Sequence, residues 1–417
     1  SEISWGSKEE GRRGSRLMKV DALIIGGGPV GGYLAKQLAV MGHSALIIEE
    51  HEQIGRPFQC AGLINPGSMG KVGLESTAQT RIWGARIHSP FGTLVEIGTP
   101  ERTRTWSVCR KLFDEAVVTQ ALRAGATLKL NTKPTATKVM DDRIETTCVT
   151  NGSEITVSSR VLLGCDGAHS WVRRYHRMGN IREMMIGYQI DVTGYSHKEG
   201  KLDMYTGHDI APGFFAWAIP TGTTTRIGTF SRADLLQERS SEETLNSLLT
   251  HEIWSDRFSN CNVVGRYCGP VPAKPLTRPS RGRIMLFGDA AGLCKPTTGG
   301  GIGPGFDHVD SSLEHISRVI SKDTINKRKA DKVTSGIIKP ISRKHDRARA
   351  LRDAFLTSTT DEELESIFKI WAKPQVIELI QKYGEIENPI PLGLKMLKEV
   401  PEFRRVASKA AGSLIFA

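Results

Sequence analysis

Along this chain the apolar positions first run continuously, then alternate, and finally recur at helical spacing. Ala22-Leu-Ile-Ile25 and Ala45-Leu-Ile-Ile48 are continuous runs, the pattern of strands buried on both faces. Between them, Tyr33 to Met41 has helical character, so residues 19–50 read as strand, helix, strand. From Arg81 to Glu96 polar and apolar residues alternate around Ser89-Pro90-Phe91-Gly92, which predicts a hairpin. Thr105 to Val108 leads into a helix over Glu115–Ala124, closed by Gly125. Short strand-like runs follow at Thr127–Leu130, Ala136–Met140, Glu145–Val149, Ile155–Val157 and Val161–Leu163.

A second set of runs, Met185–Val192, Lys201–Tyr205, Gly213–Pro220 and Thr224–Phe230, predicts an antiparallel sheet shared with the hairpin. Its inner face carries Phe214, Phe215, Trp217 and Ile219, as core or as the wall of an apolar pocket. Leu235–Asp256 reads as helical, with Leu245, Leu248, Leu249 and Ile253 on one side. From Asp307 onward the spacing is helical: Val309–Ile320, Ile341–Leu356, Asp361–Lys382 and Leu392–Ala417, broken by Asn388-Pro-Ile-Pro. The basic, amphipathic tail suits either packing on the body or a membrane surface.

Composition narrows the class. The 417 residues suffice for two or three domains, and 39% hydrophobic residues suit a globular chain. No apolar run reaches a membrane span, and Ser1 to Leu17 is polar, without the apolar core of a secretory signal. That segment is expected to be an extension outside the fold. The net charge is +11, compatible with an anionic substrate, an anionic membrane or a solvated basic surface. No nucleic-acid motif supports a polynucleotide partner. Seven cysteines without a Cys-x-x-Cys pair argue for a reducing compartment and against a structural zinc site, so no metal is expected.

The chemistry begins at the first strand–helix turn, Gly26-Gly27-Gly28-Pro29-Val30-Gly31. Gly26 permits the tight turn, Gly28 lets a diphosphate approach the backbone, and Gly31 lets helix and sheet pack closely. The helix amides and dipole favour the anion. Glu49, with Glu50 beside it, ends the next strand, where a ribose is held. The loop Pro57-Phe-Gln-Cys60-Ala61-Gly62 follows directly and is expected along the cofactor. Arg110 stands at a strand-to-helix junction, placed for a phosphate or ribityl chain. Two further apolar strands end in Cys165-Asp166-Gly167 and Gly288-Asp289-Ala290, and the second precedes Pro296-Thr-Thr-Gly-Gly300-Gly301-Ile302. Asp166 suits the cofactor or neighbouring loops, and Asp289 suits a ribityl hydroxyl. The glycine run offers backbone amides to an anionic ring edge.

In this order the motifs resemble the hydroxylase-like FAD superfamily. The Cys60 loop and Pro-Thr-Thr-Gly-Gly-Gly-Ile are similar to those of the geranylgeranyl reductase family. That family's Tyr-x-Trp-x-Phe-Pro cavity motif reads here Phe215-Ala-Trp217-Ala-Ile219-Pro220. Tyrosine and phenylalanine are replaced, while Trp217 and Pro220 match. The resemblance spans Met18 to Lys382. It departs at Gly303-Pro304-Gly305, where relatives enter a helix directly, so the helix is expected to begin near Pro304.

The resemblance implies an α/β fold with three parts. A Rossmann-like FAD domain is assembled from 18–80, 101–180 and 263–320. An antiparallel-sheet substrate domain comprises 81–100 and 181–262, and a helical region covers 321–417. It implies FAD as cofactor and saturation of geranylgeranyl double bonds, on archaeal-type digeranylgeranylglycerophospholipids, with chlorophyll-type prenyl chains as the close alternative. An electron donor, reduced ferredoxin or NAD(P)H, is expected, and so is a cytoplasmic setting, peripheral on the inner membrane surface. Cys60 would lie near the flavin, and Phe215, Trp217, Ile219 and Pro220 would line the lipid pocket. The alternative on the same fold is a monooxygenase acting on an apolar or aromatic substrate. A flavin-bound membrane scaffold without catalysis is the non-enzymatic reading.

Overall fold

The computed structural model describes residues 17–57, 60–357, 360–384 and 390–404. The polar segment 1–16 and the tail 405–417 lie outside the described residues. Leu17, expected in the extension, already belongs to the first strand and pairs with Thr156.

The nucleotide-binding layer is a sheet whose parallel core runs in the order Ile284–Leu286, Ser153–Gly164, Leu17–Ile25, Ala45–Ile48 and Thr127–Lys129. Its inner strands are apolar on both sides because both faces are covered. Helices Pro29–Val40, Arg110–Arg123 and Ile302–Ile320 contribute Leu34, Phe113, Val117 and Phe306 to the core on one face. Val172 and Ile338 help to close the other. A hairpin, Thr132–Val139 with Ile144–Thr150, extends the sheet antiparallel from Ser153–Gly164.

The second sheet has seven strands, in the order Asn262–Pro272, Met184–Thr193, Thr224–Arg232, Ala216–Thr221, Lys201–Tyr205, Gly84–His88 and Leu94–Gly98. The strand Asn262–Pro272 pairs along Met184–Thr193. The chain therefore returns to the nucleotide layer after Pro272, later than the expected position 263. A three-stranded sheet, Leu63–Ile64, Thr105–Val108 and Ala78–Ile82, lies beside the start of the helix that carries Arg110.

Helix boundaries depart from the periodicity where caps and prolines intervene. Leu235–Asp256 is not one helix. Ser240 and Glu243 form a reciprocal capping box that starts Ser241–Leu249, and a separate turn covers Ser255–Phe258. The helix expected near Pro304 starts at Ile302. Proline is tolerated in a first turn because its missing N–H would have no intrahelical partner. Lys327–Arg352 is a single 26-residue helix, capped by the Asn326 side chain and passing through Pro340, which had hidden its first half. Asp361–Trp371 and Pro374–Tyr383 are separate helices, the first with its own capping box at Thr360 and Glu363.

The helical region is tied to the sheets by buried polar groups. Glu365 accepts from the Ser89 and Thr93 hydroxyls at the hairpin tip. Arg352 donates to the Pro296 carbonyl at 2.9 Å and to Glu183 at 2.8 Å.

Candidate functional site

The first turn matches the stereochemistry its glycines require. Gly26 has φ +104°, and a Cβ there would lie 2.4 Å from the Cys165 carbonyl oxygen. A Cβ on Gly31 would lie 2.1 Å from the Gly26 carbonyl, so helix and loop can touch only through glycine. Gly28 differs: a Cβ there meets nothing within 4 Å. The open side of Gly28 faces the start of Pro29–Val40, whose N-terminus has no side-chain cap and no acid in its first turn. Free amides beside open space are what a diphosphate needs. Glu49 closes this end. One carboxylate oxygen accepts from the Gly27 amide at 2.8 Å and the other meets the His51 ring at 2.6 Å. Glu50 points to solvent.

The Cys60 loop crosses to the second sheet. Gln189 Nε2 donates to the Cys60 carbonyl at 3.2 Å. Arg226 donates to the carbonyls of Cys60 at 3.3 Å and Ala61 at 3.0 Å. Arg226 is buried, and Asp191 balances its charge at 2.8 Å. Gly62, with φ +78°, fits between the Val108 carbonyl and the Arg226 guanidinium, where a side chain would collide. Behind the loop, Arg110 grips Asp114 with two hydrogen bonds of 2.8 and 2.9 Å. Burial works against the Arg110 charge, but Asp114 and the nearby Cys60 sulfur outweigh it and raise its hold on the proton.

Asp289 follows the strand Ile284–Leu286 and accepts from the Cys294 thiol at 3.2 Å. Burial pushes its carboxyl above the usual range. A Cβ on Gly301 would lie 2.6 Å from the same carboxylate oxygen, so the glycine run packs directly on Asp289. Gly300 bonds back through its carbonyl to the Lys295 amide, and Ile302 begins the helix beyond. Cys165 and Asp166 end the neighbouring strand. Both Asp166 oxygens are taken by the Ser170 hydroxyl at 2.6 Å and the Val172 amide at 3.0 Å. These bonds tie Asp166 to the start of helix Trp171–Tyr175, the neighbouring-loop role expected of it.

Over these groups lies one face of the seven-stranded sheet. Trp217, Ile219, Phe215 and Phe230 cluster there with Ala61 and Leu63 of the Cys60 loop. A Cβ on Gly299 would meet the Phe230 ring at 2.5 Å, so the glycine run also touches this face. Gly228, directly across from Trp217, leaves room for the indole, whose N–H is buried without a partner. Pro220 is a correction. It alternates with Trp217 and Ile219 along a regular strand, so it faces the opposite side with Ala216 and Ala218.

Gln189, Asp191 and Arg226 were not anticipated. They alternate with Ile190, Val192 and Ile227, the pattern of a strand with one wet face. Here both faces are covered, since Leu245 and Leu248 pack over the other side. The Arg110–Asp114 pair was legible as opposite charges four apart on a helix.

The model of the FAD binding domain family matches residues 19–321. The chain belongs to that family. A digeranylgeranylglycerophospholipid reductase of Methanosphaera stadtmanae is 27% identical over 379 residues, covering 88% of this chain and 94% of that protein. One of Methanoculleus marisnigri is 30% identical over 303 residues, covering 68% and 73%. Among solved structures, a geranylgeranyl bacteriochlorophyll reductase-like protein of Thermoplasma acidophilum aligns with TM-score 0.82 at 20% identity. That alignment covers 95% of this chain and all of the other. The p-nitrophenol 4-monooxygenase of Pseudomonas putida shares the fold at TM-score 0.67 and 16% identity, with 89% and 99% coverage.

The cofactor is therefore FAD, and this chain is an FAD-dependent oxidoreductase of mixed α/β fold. The residues fit the group. The uncapped helix start with open space over Gly28 suits the diphosphate, and the glycine run beside Asp289 offers backbone amides where bulkier residues could not stand. Among the described residues, no helix is long and apolar enough to cross a membrane.

Proposed function

We propose that this protein saturates carbon–carbon double bonds of geranylgeranyl chains, with digeranylgeranylglycerophospholipids as substrate. One observation carries the reading. An aromatic sheet face, Phe215, Trp217 and Phe230, closes on both the Cys60 loop and the glycine run. The names of the curated relatives support the same reaction.

In this reading Gly26, Gly28, Pro29 and Gly31 hold the diphosphate and Glu49 a ribose. Asp289 and Arg110 serve the ribityl chain. The loop through Gly300, Gly301 and Ile302 would hold the ring edge, chiefly by the amides of Gly301 and Ile302, since the Gly300 amide donates to the Thr298 hydroxyl at 3.4 Å. When bound and reduced, FAD would supply the hydride. An isolated alkene has no group to absorb negative charge, so hydride and proton must arrive together in a dry pocket. Phe215, Trp217 and Ile219 exclude water and hold the prenyl chain, gaining about 25 cal/mol per Å² of apolar surface buried. Arg226 and Gln189 fix Cys60 and Ala61 at the edge of that pocket. Electrons come from an external donor, reduced ferredoxin or NAD(P)H. The enzyme works peripherally on the cytoplasmic surface of the membrane that holds its substrate.

The test is anaerobic. Reduced holoenzyme mixed with the unsaturated lipid is expected to reoxidise and yield lipid heavier by two hydrogens per bond, read by mass spectrometry. No gain in mass, or an inserted oxygen atom when oxygen is admitted, would overturn the reading in favour of a monooxygenase.

A further inference from the structure

The helix Lys327–Arg352 carries a feature the flavin site does not use. Its inner side packs on the body through Ala330, Thr334, Ile338, His345 and Ala348, all buried. On the outer side Arg328, Lys332, Lys339, Arg343 and Arg347 follow at spacings of four and seven, and all are exposed. Lys329 and Lys344 flank them on the same side. At 3.6 residues per turn these seven cations share an arc of roughly 160°, along a line of about 28 Å.

None of the seven makes an ion pair among the described residues, although like charges this close repel. The helix's acids do not relieve them. Asp331 is spent on the Ser280 hydroxyl and the Gly282 amide. Asp346 is held by Lys274 and Arg349. Between the cations the surface is low, with Gly336, Pro340 and Val333 exposed and no aromatic residue. A protein epitope is usually built on aromatic or arginine anchors, with lysine depleted. A flat, lysine-rich line matches a planar array of phosphates better. The apolar side is fixed in the body, so the helix cannot roll and insert, and its attraction is Coulombic.

We propose that this outer face docks the protein on a bilayer bearing anionic headgroups. The proposal rests on the lipid-reductase reading and adds which surface meets the membrane.

The test is cosedimentation of the FAD-loaded full chain with vesicles of phosphatidylcholine alone or with phosphatidylglycerol. Wild type is expected to bind only the anionic vesicles, and to release as salt rises from about 0.05 to 0.5 M. A Lys332→Gln, Lys339→Gln, Arg343→Gln, Lys344→Gln variant is expected to bind at least about a hundredfold more weakly. A control, Arg123→Gln, Lys133→Gln, Lys138→Gln, Lys322→Gln, removes the same charge elsewhere and should bind like wild type. Equal loss in the control, or equal binding to neutral vesicles, would overturn the proposal. So would a ladder variant that keeps vesicle binding and loses only its rate with an acidic electron-carrier protein. Turnover of detergent-dispersed lipid with a chemical reductant should be the same in wild type and variant. Absence of turnover there would sink the reductase reading and leave the vesicle result intact.

Discussion

The two ends of the proposed cofactor site are built in opposite ways. The nucleotide end comes from one stretch, Gly26 to Glu49, and works through backbone: a left-handed turn, an uncapped helix and one carboxylate. The reacting end is gathered from the Cys60 loop, Arg110, the strands holding Gln189, Trp217 and Arg226, and the loop from Asp289 to Ile302. Its side chains and loops meet only after two sheets are stacked. A contiguous site tolerates little change at its glycines. A gathered site should divide into residues that hold it together and residues that only face it.

The largest effect should come from the contiguous end. Gly31→Ala places a Cβ 2.1 Å from a backbone oxygen, so helix and loop must separate. FAD retention after gel filtration should fall at least about a hundredfold, with roughly 3 kcal/mol or more of stability lost. Near-normal flavin content would show that the loop is not the nucleotide site.

Arg226→Met comes next, because it leaves the half-buried Asp191 without its partner, at a cost of roughly 2–3 kcal/mol in chemical unfolding. Arg226→Met with Asp191→Leu should regain most of that stability. It should still reduce lipid slowly, since Gln189 alone then holds the loop, at the Cys60 carbonyl. Full turnover in the double variant would make the pair purely structural.

Beneath the site, His308 is buried against Phe287, and on the long helix His345 is buried too. Burial lowers each to about 4. Each is neutral in the folded protein near pH 5, whereas the unfolded chain binds a proton below about 6.5. Stability should therefore fall as pH drops from about 6.5 to about 4, then level off. The loss is up to roughly 3 kcal/mol per histidine. His308→Leu should flatten the Tm profile over that window, and an unchanged profile would remove His308 as its cause.

Trp217→Ala should weaken lipid binding by roughly tenfold or more while FAD content stays near normal. Loss of FAD would instead make the indole a support of the cofactor. Pro220→Ala, on the far side of the same strand, should change lipid affinity less than about twofold. A change as large as that at Trp217 would contradict the alternation that separates them.

The sequence by itself determined whatever depends on neighbours along the chain. Strand–glycine–helix order predicted the turn at Gly26 to Gly31 and the acid that closes on it, and strand-end motifs picked out Asp289 and the glycine run that packs on it. Alternation placed Phe215, Trp217 and Ile219 together, although the same alternation, applied to Pro220, would have excluded it. Only the tertiary structure decided the rest. The polar residues of Met184–Thr193 read as solvent-facing because a strand cannot announce that both its faces will be covered. Stacking the sheets buried Arg226 against Asp191 and turned Arg226 and Gln189 onto the Cys60 loop. Pro340 masked the long helix, since local propensity counts against a proline that packing on the sheet outweighs.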